Sequence, residues 1–122
     1  MLRTLNYDAS GGREEFMSFE FEDTGTLVGY ARLRFPGDGE ATHAIVRELH
    51  VYGQMVPIDD APGRNWQHRG YGERLLAECE RRSAEEGRSE LRVTSGVGAR
   101  GYYRSLGYTR QGHYMAKPLR GG

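Results

Sequence analysis

From residue 15 to residue 52, apolar side chains return at every second position through three consecutive segments. Nothing with a helical period interrupts them. In residues 15–22, Met17, Phe19 and Phe21 point one way and Ser18, Glu20 and Glu22 the other. Asp23-Thr24-Gly25-Thr26 is a hairpin signal, and residues 27–35 repeat the pattern. Leu27, Ala31, Leu33 and Phe35 share one face there, and Arg32 and Arg34 the other. The two arginines are placed to answer Glu20 and Glu22 across the ladder, at roughly 0.2–1 kcal/mol per pair. After Pro36-Gly37-Asp38-Gly39 comes HAIVRELHVY, residues 43–52, a longer strand. Strict alternation puts Ile45, Leu49 and Val51 on one face with Arg47, and Val46, Glu48, His50 and Tyr52 on the other. A short strand over residues 2–7 and a turn at Ser10-Gly11-Gly12 precede these segments. A chain that opens this way builds a sheet with one face to bury.

What covers that face follows in the sequence. Residues 70–86 hold the strongest helix, with Tyr71, Leu75, Leu76, Cys79 and Ser83 as a narrow stripe. Charges fill the rest at helical spacing: Glu78 with Arg82, Arg81 with Glu85, Arg82 with Glu86. Gly87 is placed to end it. Residues 90–95 read as a strand, with Leu91, Val93 and Ser95 on one side. Residues 99–106 read as a short helix carrying Ala99, Tyr102, Tyr103 and Leu106 on one stripe, and residues 108–117 as a last strand with a bulge at Gly112. Strand, helix, strand is a crossover, so the strands of residues 43–52 and 90–95 are expected as parallel neighbours. The architecture is a mixed sheet with helices packed on it, in a single domain over residues 1–122.

Composition narrows the function. Seventeen basic residues balance seventeen acidic ones, so no global basic field announces nucleic acid. Cys79 is the one cysteine, which excludes an internal disulfide and a cysteine-rich metal site and fits a reducing cytosol. Cys79 reads as a small buried apolar residue on the helix stripe. His43, His68 and His113 lack metal-ligand spacing and read as ordinary surface or edge residues. No apolar run reaches membrane-spanning length, and MLRTLNYDAS lacks the apolar core of a signal peptide.

The stretch QHRGYGERLLAECE, residues 67–80, brings two glycines to the entrance of the long helix. The first N–H groups of a helix have no partner inside it, and the dipole adds roughly half a positive charge there. Gly70 and Gly72 remove side chains that would keep an anion away, Arg69 adds charge, and the Gln67 amide can donate. Two readings stand on the residues alone: a diphosphate cradle, or a Gly-rich turn into a surface helix. It is neither the dinucleotide fingerprint, since Leu75 stands where the third glycine would be, nor a P-loop.

Gln67-His68-Arg69-Gly70-Tyr71-Gly72 resembles the acetyl-CoA pyrophosphate motif of the GNAT acetyltransferases. Four blocks are similar to the C-terminal acetyltransferase domain of the Elongator catalytic subunit, which modifies wobble uridine in tRNA. They are VRELHVYGQMVP (46–57), WQHRGYGERLLAECER (66–81), SGVGARGYYRSLGY (95–108) and GHYMAKPL (112–119). DASGGREEFMSFEFED and LVGYARLRFP are similar too, so the resemblance covers nearly the whole chain in order. Gly101 stands where the family usually has an acidic or polar residue, and His113 where it usually has Pro. The family's catalytic subunit also carries a radical-SAM domain with three clustered cysteines, which these residues lack, so a partner or a longer chain is expected to supply one.

The resemblance implies a GNAT-like α/β (α+β) fold: a mixed, mostly antiparallel sheet of about six strands with one long and one short helix. It implies a cytoplasmic acyltransferase whose cofactor, acetyl-CoA, lies between the strand ending ELHV and the long helix. Glu48, Leu49, His50 and Val51 would run along pantetheine; Tyr71, Gly72 and Glu73 would meet the diphosphate through backbone N–H, with Gln67, Arg69 and Gly70 beside them. Tyr103 would stand near the thioester sulfur as proton donor, with Tyr102 in reserve, and Val51 N–H is a candidate oxyanion donor. Glu48 or His50 would be the base. Against these roles stand ordinary ones: core packing for Tyr102 and Tyr103, and an arginine pair for Glu48.

Three functions compete on the sequence. The first is an Elongator-type domain activating acetyl-CoA for tRNA modification with a radical-SAM part. The second is an independent N-acetyltransferase acting on a small-molecule or protein amine. The third is a non-catalytic acetyl-CoA-sensing or tRNA-docking module. Only residues 9–13 separate the first two strands, where most GNAT enzymes insert the helices that wall an amine pocket, and this disfavours the second. The loop of residues 55–66 is expected to limit access to the acetyl group. Arg88, Arg92, Arg100, Arg104, Arg110 and Lys117 could line up for tRNA phosphates, though scattered solvated side chains are the preferred reading.

Overall fold

β1 (Leu2–Ala9) and β2 (Gly12–Glu20) form an antiparallel hairpin that closes at Ala9 and Gly12 across Gly11, whose φ is +78°. No helix enters between them. β3 (Leu27–Pro36) and β4 (His43–Val51) continue the meander. Helix α1 (Pro62–Glu85) crosses over to β5 (Glu90–Thr94), which runs parallel to β4 as the crossover requires. α2 (Arg100–Ser105) leads to β6 (Thr109–Gln111) and β7 (Tyr114–Pro118). The sheet order is β1-β2-β3-β4-β5-β7-β6. This computed structural model describes residues 1–9, 11–21, 24–37, 41–52, 62–94 and 99–119; of residues 62–69 it describes the backbone alone.

The fold class is as expected, with seven strands in place of about six. The last segment is two strands, because Gly112 adopts φ +60° and turns the chain where a bulge was expected. The left-handed region is open to glycine at little cost, which makes the reversal cheap there. Gly87, with φ +81°, ends α1 region as the sequence suggested.

One face of the sheet takes both helices. Leu75, Leu76, Cys79 and Ser83 of α1 are fully buried against Met17, Ala31, Leu33 and Val46 of the strands, and Tyr71 packs at the edge. Burial pushes the Cys79 thiol up, so it behaves as a small apolar side chain. Glu78 pairs with Arg82 and Arg81 with Glu85, as helical spacing predicts. Arg82 does not take Glu86: it reaches the sheet at Glu15 (3.2 Å) and Thr4 (3.0 Å), while Glu86 binds Arg13 at 2.7 Å. The expected cross-strand pairs also shift, because β2 starts at Gly12 and brings Glu14 opposite Arg34.

The face assignment of β4 is where strict alternation fails. The β3–β4 register slips between Arg32 and Leu33: Arg32 faces Glu48, but Leu33 faces Val46, leaving Arg47 as an extra residue. The bulge returns Val46 to the core with Leu49 and Val51, opposite to the alternation for Val46. Arg47, Glu48 and His50 are exposed on the far face. That face of β1–β4 carries no helix among the described residues.

Candidate active site

The bulge matters because of what happens next along β4. Its parallel pairing with β5 runs from His43–Glu90 to Val46–Val93 and goes no further among the described residues. Among the described residues, β4 continues for five residues paired on its β3 side alone. Tyr52 N–H donates to the Val28 carbonyl at 2.9 Å, which sets the phase of that ladder. Peptide groups of alternate residues point to opposite edges of a strand. Those of His50 and Tyr52 therefore face β3, and those of Leu49 and Val51 face the split between β4 and β5. A pair of peptide groups aimed into a gap in a sheet is a template for another extended chain of amides.

α1 and α2 close over this split. A Cβ on Gly72 would lie 3.1 Å from the Tyr102 hydroxyl and 3.5 Å from Val51 Cγ2. Glycine is what lets helix, strand end and tyrosine approach so closely. Tyr102 remains 38% exposed; burial, then the Glu73 charge, raises its pKa. Tyr103 is 6% exposed and stands edge-on to Tyr102 and Tyr108, with ring centroids 5.2 and 5.8 Å away. Burial pushes its phenol up to about 12, so it is neutral at physiological pH. Tyr108 is held beneath by Glu80, which also accepts from Lys117. Of the two tyrosines, the structure sets Tyr103 in the core and puts the Tyr102 hydroxyl at the mouth.

Glu48 and His50 lie on the face away from α1. The Glu48 carboxylate accepts from the Tyr30 hydroxyl at 3.2 Å and stands 3.6 Å from Arg32. The His50 ring packs against Tyr30 and Tyr52, at 5.8 and 4.4 Å, and the two tyrosine rings stand 6.4 Å apart. Tyr30 and Tyr52 were not singled out from the sequence. Tyr52 could have been, since it continues the Glu48, His50 alternation; Tyr30 is hidden behind Gly29, and only the register pairs it with His50.

One expectation is corrected here. The glycines do not open α1: the helix starts at Pro62, roughly two turns ahead of Gly70. Proline suits a first helical position, and an interior glycine costs about 1 kcal/mol relative to Ala, too little to stop a helix. The amides of Tyr71, Gly72 and Glu73 therefore lie within the helix. Gln67 and Arg69 are on its helical backbone, and their side chains fall outside the described residues. The helix also takes residues 62–66 of the expected loop, whose other residues, 55–61, fall outside the described ones.

The arginines of the C-terminal half are mostly committed. Arg88 donates to the carbonyls of Ala41, His43 and Pro36, and Arg92 pairs with Glu90 at 2.6 Å. Lys117 pairs with Glu80. No cluster of metal-ligating side chains occurs among the described residues. No helix among them is long and apolar enough to cross a membrane.

Residues 2–108 match the acetyltransferase (GNAT) family. The chain is 46% identical over 120 residues to the tRNA uridine(34) acetyltransferase of Methanocaldococcus jannaschii, covering 93% of this chain and 22% of that protein. To Elongator complex protein 3 of Homo sapiens it is 44% identical over 122 residues, covering 94% and 22%. The chain thus spans under a quarter of the length of these relatives. Among solved structures, Methanocaldococcus infernus Elp3 with an N-terminal deletion is similar at a TM-score of 0.78 and 43% identity, over 98% of this chain and 30% of that one. Tetrahymena GCN5, at a TM-score of 0.64 and 19% identity, covers 89% of this chain and 70% of its own, and shares the fold.

Proposed function

Because this chain belongs to the acetyltransferase (GNAT) family, with Elongator-type relatives over nearly its whole length, we propose that it binds acetyl-CoA in the β4–β5 split. There it activates the thioester for modification of the wobble uridine of tRNA, together with a radical-SAM domain or partner. The observation that carries this reading is the pair of peptide groups, Leu49 and Val51, turned into the split opposite Gly72 and Tyr102.

Acetyl-CoA supplies an acyl group already activated as a thioester. Leu49 and Val51 hold the pantetheine amides as a neighbouring strand would, and Val51 N–H also stabilises the developing oxyanion. Tyr103 donates a proton to the leaving thiolate, with Tyr102 closing the mouth beside it. Glu48, the bulge neighbour on the far face, takes the proton of the acceptor; His50 flanks it.

The diphosphate end of the site needs a change in the protein. The Tyr71, Gly72 and Glu73 amides become donors only when α1 begins at Gly70. Gly70 keeps that cost low, because glycine is accepted at a helix N-cap where Ala is disfavoured and loses about 0.8–1 kcal/mol less than Ala on leaving a helix interior. Gln67 and Arg69 then flank the anion from the released segment. Titration calorimetry with acetyl-CoA, followed by far-ultraviolet circular dichroism, tests both parts. Binding accompanied by a loss of helical signal is expected; no binding at millimolar acetyl-CoA by the folded chain would sink the reading. The tight β1–β2 hairpin leaves no helices to wall an amine pocket, so an independent amine acetyltransferase is the weaker alternative.

A further inference from the structure

The two edges of the sheet differ. β6 is three residues long and carries Arg110 at its centre, and shortness and charge both keep an edge from pairing. β1 is protected much less. It runs for eight residues against β2 without a bulge, contains no proline or lysine, and exposes Arg3, Thr4, Leu5 and Asn6 in a row. Leu5 is 63% exposed, more than any other large apolar side chain among the described residues. α1 packs over β2, β3 and β4, which leaves the β1 edge open to a second sheet.

The backbone phase of β1 is set at its first pair. The Met1 amine donates to the Glu20 carbonyl at 2.8 Å, and Glu20 N–H to the Met1 carbonyl at 3.0 Å. Alternate residues turn their peptide groups to opposite edges of a strand. Arg3, Leu5, Tyr7 and Ala9 therefore bond to β2, and Leu2, Thr4, Asn6 and Asp8 turn theirs outward. A two-fold axis through Leu5 pairs Leu2 with the partner's Asp8 and Thr4 with the partner's Asn6. Every outward residue of both strands is then bonded, whereas an axis through Thr4 leaves Asp8 unpaired and one through Asn6 leaves Leu2 unpaired.

The side chains agree with the axis through Leu5. Leu5 meets the partner's Leu5 as a closely spaced pair on the far face, with Phe16 of each copy beside it. On the helix face, the exposed carboxylate of the partner's Asp8 comes to the mouth of a groove lined by Met1, Leu2, Phe19, Arg74 and Arg81. Arg74 lies there over the Phe19 ring at 4.7 Å. The axis repeats both contacts on the other copy, so the surface is complementary to itself. The backbone groups would accept any extended strand, but the leucine at the axis and the carboxylate opposite the guanidiniums are supplied by this chain. We propose that β1 pairs antiparallel with β1 of a second copy about Leu5, joining two sheets into one. The pairing does not depend on the cofactor reading.

The test is sedimentation equilibrium of this chain from micromolar to millimolar concentration under reducing conditions, where a monomer–dimer equilibrium is expected. Asn6→Pro removes an outward N–H and no bond to β2, a position where an edge strand tolerates proline. It should weaken the dimer about tenfold or more while circular dichroism and the thermal midpoint stay near native. Should that variant unfold, Leu5→Lys takes its place with the same expectation, because it sets like charges across the axis. Leu5→Cys reads the register: its thiol meets its counterpart within disulfide reach, and Cys79 is fully buried and does not compete. Oxidation with copper phenanthroline should cross-link Leu5→Cys. It should leave Arg3→Cys uncross-linked, since that position lies about 13 Å along the strand from its counterpart. A native chain that stays monomeric at millimolar concentration overturns the proposal and gives the edge to a strand of another protein. A folded Asn6→Pro or Leu5→Lys variant that dimerises as tightly as the native chain overturns it as well. Arg3→Cys cross-linking as readily as Leu5→Cys overturns the pairing about Leu5.

Discussion

The Tyr102 hydroxyl stands 3.1 Å from the point that a Cβ on Gly72 would occupy. α1 and α2 meet at that contact, directly over the end of β4, with Val51 Cγ2 at 3.5 Å. The same substitution therefore has opposite effects on fold and function. Gly72→Ala adds a good helix former to α1, and the exposed tyrosine can yield a few tenths of an ångström. Thermal stability should hold, but acetyl-CoA binding should weaken about tenfold or more as Tyr102 is pushed across the mouth. Tyr102→Phe removes the atom in conflict, so the double variant should recover part of the loss, with a coupling of about 1 kcal/mol. Strict additivity by calorimetry would show that the two residues do not act at one place.

Gly70 is the cleaner probe of the helix start, because nothing lies within 4 Å of a Cβ placed there. Gly70→Ala should raise the stability of the free protein by about 0.5–1 kcal/mol. It should weaken acetyl-CoA by a similar free energy, a factor of about three to five, if binding releases the helix up to this residue. A variant that gains stability and keeps its affinity would show that the amides of residues 71–73 are not the diphosphate donors.

Tyr103 and Glu48 are separable by kinetics. Tyr103→Phe keeps the ring against Tyr102 and Tyr108 and deletes the proton donor. Glu48→Gln keeps a partner for Tyr30. Both should lower acetyl-CoA hydrolysis or transfer about a hundredfold while the acetyl-CoA dissociation constant stays near native. If Tyr102→Phe is the slow variant and Tyr103→Phe is not, the donor is the exposed tyrosine and Tyr103 is core.

Acid should expose the carboxylates that hold the helix and sheet. Hydrogen bonds from Arg81, then Arg82, outweigh burial and hold Glu78 at about 2. For Glu14, burial acts upward, but hydrogen bonds from Tyr7, Arg47 and Arg34 outweigh it and leave its pKa lowered. A carboxyl depressed in the folded state stabilises the fold above its unfolded pKa, and that contribution is lost as pH falls through the folded one. Urea midpoints should therefore fall between about pH 4.5 and 2, and Glu78→Gln should flatten the slope. Glu14→Gln should cost about 1–2 kcal/mol at neutral pH by leaving guanidiniums over a neutral amide. A Glu78→Gln curve parallel to the native one would remove this pair from the acid response.

Much of this was legible in the chain, and the misreadings share a cause. Met17, Phe19, Ala31, Leu33, Leu75, Leu76 and Cys79 declare a core because their spacing repeats the period of strand or helix. The blocks around Glu48–Val51 and Tyr102–Tyr103 carry the proposed site, through the family resemblance alone. Alternation misassigned Val46 because a bulge changes the count of residues without marking the sequence. The helix start was misread because two glycines look like a boundary when propensity is weighed locally, whereas a helix tolerates each for about 1 kcal/mol.

Periodicity and turn chemistry are local, so the amino-acid order alone determined a sheet with one buried face, a crossover helix and the parallel neighbours it joins. Register, the end of pairing at Val46–Val93, the burial of Tyr103 over Tyr102 and the tyrosine rings around His50 arise from residues far apart in the chain. Their relative placement depends on how strands and helices settle against one another, and packing in three dimensions decided it.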